Sequence, residues 1–185
     1  LNTIDMVNQP SGVIAASGTA GLYIDPALTF VNNGVLRADA GGYLELRPGT
    51  YTFNTPATAM NNGTVGFAGG TFSGKVTSQG TGACAVRSYG GNSVFSNLIN
   101  LGLIDQANEY DVVWVNTIDN RGTYNMGSIG NSTDIYIYSH VSLIGGGTVS
   151  MSNNAQNNIY DAAGNRGYVL TNSANTITGA GRIGL

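Results

Sequence analysis

The chain is written in short runs where apolar and polar residues alternate, each closed by a small, glycine-rich turn. LYID, YLELR, TYTF, VVWV and DIYIY are such runs, and ASGTAG, ADAGG, MNNG, FAGG and IGGG are such turns. Alternation with period two places successive side chains on opposite faces of a half-buried strand. No stretch of ten or more residues carries a helical period with caps. VNQPSG and NEYDVV are too short, and Asn and Gly are poor helix formers, so almost no helix is expected.

The runs repeat. Segments Pro10–Pro26 and Asn32–Pro48 align at an offset of 22, matching Gly12 with Gly34, Val13 with Val35, Leu22 with Leu44, Ile24 with Leu46 and Pro26 with Pro48. A third copy is read at AMNNGTVGFAGGTFSG, with its NNG at Asn61–Gly63 set against Asn32–Gly34 and an insertion placed in a turn. In the second half Gly102 pairs with Gly122, and Asp111 with Asp134. LIGGGTVSMSNNAQNNIYD and NSANTITGAGRIG continue the series.

Repeats of about 20 to 29 residues holding several short strands each are the signature of a solenoid, in which one coil cannot bury its apolar face alone. The irregular length favours an all-β, right-handed parallel β-helix of about seven or eight coils over a strictly periodic solenoid. At about 4.8 Å per coil the rod would be about 40 Å long. Residues 1–185 read as a single β-solenoid domain, a fragment of or a subunit in a longer array.

This phase assigns faces. Leu22, Ile24, Leu44, Leu46, Tyr51, Phe53, Val112, Trp114, Ile135 and Ile137 point inward. Tyr23, Asp25, Glu45 and Arg47 point outward, with Asp25 and Arg47 expected to pair across coils, as do Tyr136 and Tyr138. The Asn doublets at 32–33, 61–62, 153–154 and 157–158 suit left-handed turns and amide ladders along the rod.

Composition narrows the partners. Charged residues make up 9% of the chain and the net charge is -3, which argues against nucleic acid, whose backbone is bound by clustered Lys and Arg. The apolar runs are too short to insert this segment in a membrane as a helix. Cys84 lies between Ala83 and Ala85 and reads as a buried hydrophobe.

The strings NNGVLRADAGGYLEL, INLGLI and LTNSANTITGAGRIG resemble the repeats of bacterial autotransporter passengers and filamentous-haemagglutinin-like adhesins. Those repeats alternate N-x-G-hydrophobic, GG-x-L-x-L and N-T-I-x-G-x-G-x-I-G units. The resemblance runs from residue 10 to 184 with degenerate motifs. It implies a right-handed β-helix, secretion or display on the bacterial cell surface, and a scaffolding or adhesive role. A membrane barrel, a secretion domain and an RGD-type triplet, which such proteins carry, are not part of this sequence. The I-G at its end leads into another coil in such repeats, so it is expected to be cut from a longer array or completed by another molecule.

Catalytic constellations are thin, and no catalytic residue, metal or cofactor is assigned. His140, near Ser139 and Ser142, lacks a nucleophile elbow and a partner Asp. The densest acidic patch is Asp105, Glu109, Asp111 and Asp119, a candidate acidic or Ca²⁺ site of the kind that β-helix lyases and glycosidases carry; the repeated G-G-x-G-x-D calcium motif is missing. A flat threonine ladder of the ice-binding kind is not expected, because TYT at Thr50 and TIT at Thr176 are far apart. The better candidate for ligand binding is an outward stripe of Tyr136, Tyr138 and Tyr160, since aromatic faces take sugar rings or protein partners. The expected function is a non-enzymatic extracellular rod whose partners are host or matrix glycans or proteins. The alternatives are a protomer stacked end to end on copies of itself, and a polysaccharide-binding or polysaccharide-degrading β-helix.

Overall fold

A computed structural model of the chain describes residues 4–87, 91–161 and 166–184. They form a parallel β-solenoid of about eight coils, with no helix among them and hence none long and apolar enough to cross a membrane. Each coil has three sides. Coil 1 is β1 (Met6–Asn8), β2 (Val13–Ala16) and β3 (Leu22–Ile24), and coil 2 is β4 (Thr29–Asn32), β5 (Val35–Ala38) and β6 (Tyr43–Leu46). From coil 3 the first two sides merge into one long, bent strand. The pairs are β7 (Thr50–Ala59) with β8 (Thr64–Phe67), β9 (Thr71–Ser78) with β10 (Ala83–Val86), and β11 (Ser93–Asn100) with β12 (Leu103–Ala107). Coil 6 is β13 (Val112–Asn120) and β14 (Thr123–Gly127). β15 (Thr133–Ile144), β16 (Thr148–Tyr160), β17 (Leu170–Asn172) and β18 (Thr176–Ile183) complete the last two.

The 22-residue offset is the physical register: Val13 pairs with Val35, Leu22 with Leu44 and Ile24 with Leu46. The offsets that match Gly102 to Gly122 and Asp111 to Asp134 are also registers, since Leu103 pairs with Thr123 and Val112 with Ile135. The third copy is shifted from its expected place. Thr64 pairs with Tyr43, so the NNG at 61–63 stacks on the ADAGG turn, and the coil follows its predecessor without an insertion.

One inward column is aromatic over five coils. Phe30, Tyr51, Phe72, Phe95 and Trp114 lie in register on successive coils, spaced 19 to 23 residues apart in the chain, and all five are fully buried. Tyr51 stacks on Phe72 at 5.0 Å between centroids, and Phe72 meets Phe67 at 4.8 Å. Burying each such ring contributes about 1.5–3 kcal/mol. A second column runs Leu44, Val65, Cys84, Ile104, Tyr124, Val149. Cys84 is thus a core residue, and burial pushes its thiol up to about 12. Leu22 joins this column and is 38% exposed, because it lies in the first coil. Among polar residues, Gln106 is fully buried: its amide nitrogen donates to the carbonyls of Tyr110 and Asp134, and its oxygen accepts the Tyr124 hydroxyl at 2.9 Å.

Corners use two devices. The first corner of coils 4, 5 and 6 turns through one left-handed residue, Gly74, Asn97 or Asn116. Asn tolerates that conformation better than other side-chain-bearing residues, which accounts for part of its abundance. Amide ladders account for more of it. Asn8 Nδ2 donates to Asn32 Oδ1 at 2.8 Å, and Asn100, Asn120 and Asn175 form a buried chain of the same kind with steps of 2.8 and 2.9 Å. Outside, Arg37 pairs with Asp39, Arg47 with Glu45 and Arg121 with Asp119. Such local pairs are worth about 0–1 kcal/mol. Arg47 reaches the coil below through the ring of Tyr23, 4.3 Å from its guanidinium carbon.

Where turns stack directly, a side chain has no room. A Cβ on Gly122 would sit 2.0 Å from the carbonyl oxygen of Gly102. Gly122→Ala is therefore expected to destabilise the protein by about 1–3 kcal/mol, through forced separation of two coils. Urea denaturation followed by circular dichroism measures it, and an unchanged midpoint would contradict the stacking account.

Candidate functional site

The first sides of coils 6 to 8 gather the outward tyrosines and two acids. Asp134 pairs in register with Asn158, and Asn158 with Arg182, while Val113, Tyr136 and Tyr160 form the neighbouring column. The main-chain N–H of Asp134 donates to Asp111 Oδ1 at 3.0 Å, which ties coil 7 to coil 6. The Tyr136 hydroxyl lies between the two carboxylates, 3.0 Å from Asp111 Oδ2 and 3.3 Å from Asp134 Oδ2. Tyr160 donates to Asp134 Oδ2 at 3.1 Å, and Ser132 Oγ and Asn158 Nδ2 each donate to Asp134 Oδ1 at 2.7 Å.

Burial raises the Asp111 carboxyl above the ordinary carboxylate range, while the bonds from Tyr136 and from the Asp134 N–H pull it back. Burial and then the Asp111 carboxylate raise the Tyr136 phenol, and burial and the charge of Asp134 raise that of Tyr160. Asp134 is 4% exposed and accepts four donors, so its oxygens are occupied rather than free for proton transfer. Its effect is mechanical: the two acids fix the tyrosine hydroxyls and thereby the rings. Tyr136 meets Tyr160 edge-on at 5.4 Å and lies nearly parallel to Tyr138 at 6.2 Å. Tyr138 is 46% exposed and presents the open ring of the group. The arrangement suits contact through an aromatic face.

Of the other acidic candidates, Glu109 lines a small pocket with Asp111, while Asp105 and Asp119 lie on other sides. Asp105 is on the third side of coil 5, in register with Ala85 and Asn125. Asp119 closes the second side of coil 6 and is held by Arg121 at 2.7 Å. Glu109 sits in a turn with a left-handed backbone and accepts from Asn131 Nδ2. Among the described residues no three His, Cys, Asp or Glu side chains group as metal ligands. Ser139 Oγ donates to the His140 carbonyl, while the His140 ring accepts the Val169 N–H, so these two side chains do not form a nucleophile–base pair.

Two features escape the sequence reading. Asp134 accepts four donors, and its only signal in the sequence is the offset that aligns it with Asp111. Thr29, Thr50 and Thr71 stack in register, with Val31, Thr52 and Ser73 two residues on. That strip ends at Val94 and Val113, and its rungs spell T-F-V, T-Y-T and T-F-S, which hides it. Comparison with protein families, curated proteins and solved structures finds no match for the chain.

Tyr136→Phe removes a donor that favours the ionised Asp111. The Asp111 carboxyl is expected to titrate at higher pH in this variant, read by carboxyl carbon NMR. The sign follows from linkage. A carboxyl raised on folding binds its proton more tightly in the native state, so its contribution is largest at low pH and is lost as pH rises through the folded value. The variant should move that loss upward in pH, and an unmoved Asp111 titration would show that the hydroxyl does not act on it.

Proposed function

We propose that this chain is a non-enzymatic extracellular rod, a structural and adhesive β-solenoid segment of a secreted bacterial surface protein, and that it binds a polysaccharide through the face of Tyr136, Tyr138 and Tyr160. The supporting observation is the tyrosine group itself: three rings from two coils converge outward, two of them tethered by hydroxyl bonds to Asp111 and Asp134 and the third open. A pyranose has an apolar C–H face and a polar rim, and an aromatic ring bordered by hydrogen-bonding groups complements both. The adhesive reading also rests on the repeat strings described above.

The test is retention of the purified chain on an array of neutral and acidic polysaccharides, with Tyr138→Ala and Tyr23→Ala compared. Tyr138→Ala is expected to lower affinity tenfold or more, and Tyr23→Ala, on another side, to leave it unchanged. An aromatic contact is worth about 0.5–1.5 kcal/mol beyond the area it buries, and tenfold in affinity corresponds to about 1.4 kcal/mol. Equal binding by the parent and Tyr138→Ala, or no retention of any glycan, would remove this reading.

A further inference from the structure

The single histidine of the chain makes a contact that only one of its protonation states allows. His140 Nδ1 accepts the main-chain N–H of Val169 at 3.2 Å. Because the donor is a backbone amide, that nitrogen must be unprotonated, with the ring proton on Nε2. The contact closes the segment 166–170 of coil 8 over coil 7, where Val141 N–H in turn donates to the Val169 carbonyl at 2.8 Å. Tyr168 of the same segment meets the His140 ring edge-on at 6.0 Å. Gly167, Tyr168, Val169 and Leu170 wall a cavity of about 430 Å³, whose other side includes Ile137, Ile159 and Asp161.

We infer that His140 is a pH-sensitive latch on the Val169 amide: neutral, it ties that N–H down at the wall of the cavity, and its protonation frees it while the Val169 carbonyl stays bonded to Val141. A protonated ring turns an N–H toward the N–H of Val169, so an acceptor becomes an opposing donor. On the same segment the main-chain N–H of Arg166 donates to Asp161 Oδ2 at 2.9 Å, and the Tyr168 phenol raises the Arg166 guanidinium. The ionisable group in contact with the ring is the phenol of Tyr168, and the carboxylate bonded to the segment is Asp161. In the coil below, the residues paired with the strand just after His140 are Asn116, opposite Val141, and Thr117, opposite Ser142, and neither titrates. Histidine changes charge between about pH 5 and 8. The bond belongs to the neutral form, so its contribution is present above that range and is lost as pH falls through it. The inference is independent of what the tyrosine face binds.

Amide hydrogen exchange on the isotope-labelled 185-residue chain tests it, corrected for intrinsic rates, at about pH 7.5 and about pH 5. Protection of the Val169 amide is expected to fall about fivefold to tenfold at the lower pH, the equivalent of one hydrogen bond. The Tyr124 amide, in the buried core, should keep its protection. His140→Asn offers an oxygen near the place of Nδ1 without titrating, and should keep Val169 protected at both pH values. His140→Phe should leave it unprotected at both. Imidazole nitrogen shifts of the parent report the tautomer directly. A pH-independent Val169, an Asn variant that follows the parent, or a proton on Nδ1 at neutral pH would each overturn the latch.

Discussion

Parallel, in-register pairing of each coil with the next is the constraint from which the other features follow. When adjacent backbones lie about 4.8 Å apart and aligned, each side chain has its counterpart in the neighbouring coil directly above or below it. Inside, that produces the column from Phe30 to Trp114, because rings of similar size at one spacing pack better than alternating large and small residues would. At the turns it demands glycine, since Gly122 rests on the Gly102 carbonyl with no room for a Cβ. Along the corners it rewards asparagine, whose amide can donate and accept along the axis at once, as in the chain from Asn100 through Asn120 to Asn175.

The same constraint explains which parts of the fold were legible. The offset between coils 1 and 2 could be read because both copies keep their alternation and their closing proline. The next coil was misplaced because its NNG serves a different corner from the NNG at 32–34. Both corners need residues that tolerate tight turns and close backbone approach, so the same string recurs without marking the same place. The rings at Phe30, Tyr51 and Phe72 give the true phase. A large aromatic column has one position per coil, whereas turn chemistry has several.

The acids of the candidate patch are spread over the coil sides for a related reason. Asp105, Asp111 and Asp119 are close in the chain, but in a three-sided coil that distance carries a residue from one side to the next. Separations near one full coil bring residues together, as with Asp111 and Asp134 or Tyr136 and Tyr160. The tyrosine group was therefore visible in the sequence as a spacing of 24. The burial of Asp134 was not, because the groups that cover it come from its own coil and from the coil above.

Asp134 bears on what an outer surface of this kind can do. A carboxylate removed from water is costly unless donors replace its hydration, and here Ser132, Asn158, Tyr136 and Tyr160 supply them. The same columns carry small Thr and Val residues a few coils away, where the coil pairs equally well, so stability of the solenoid does not call for tyrosines or for an acid beneath them. What the acid adds is fixation of two rings that would otherwise turn about their side-chain bonds. A surface already ordered before contact loses less freedom when a partner arrives. With the register set by the interior, the outer columns can be exchanged at little cost in stability, and a buried anchor converts one such exchange into a rigid aromatic face.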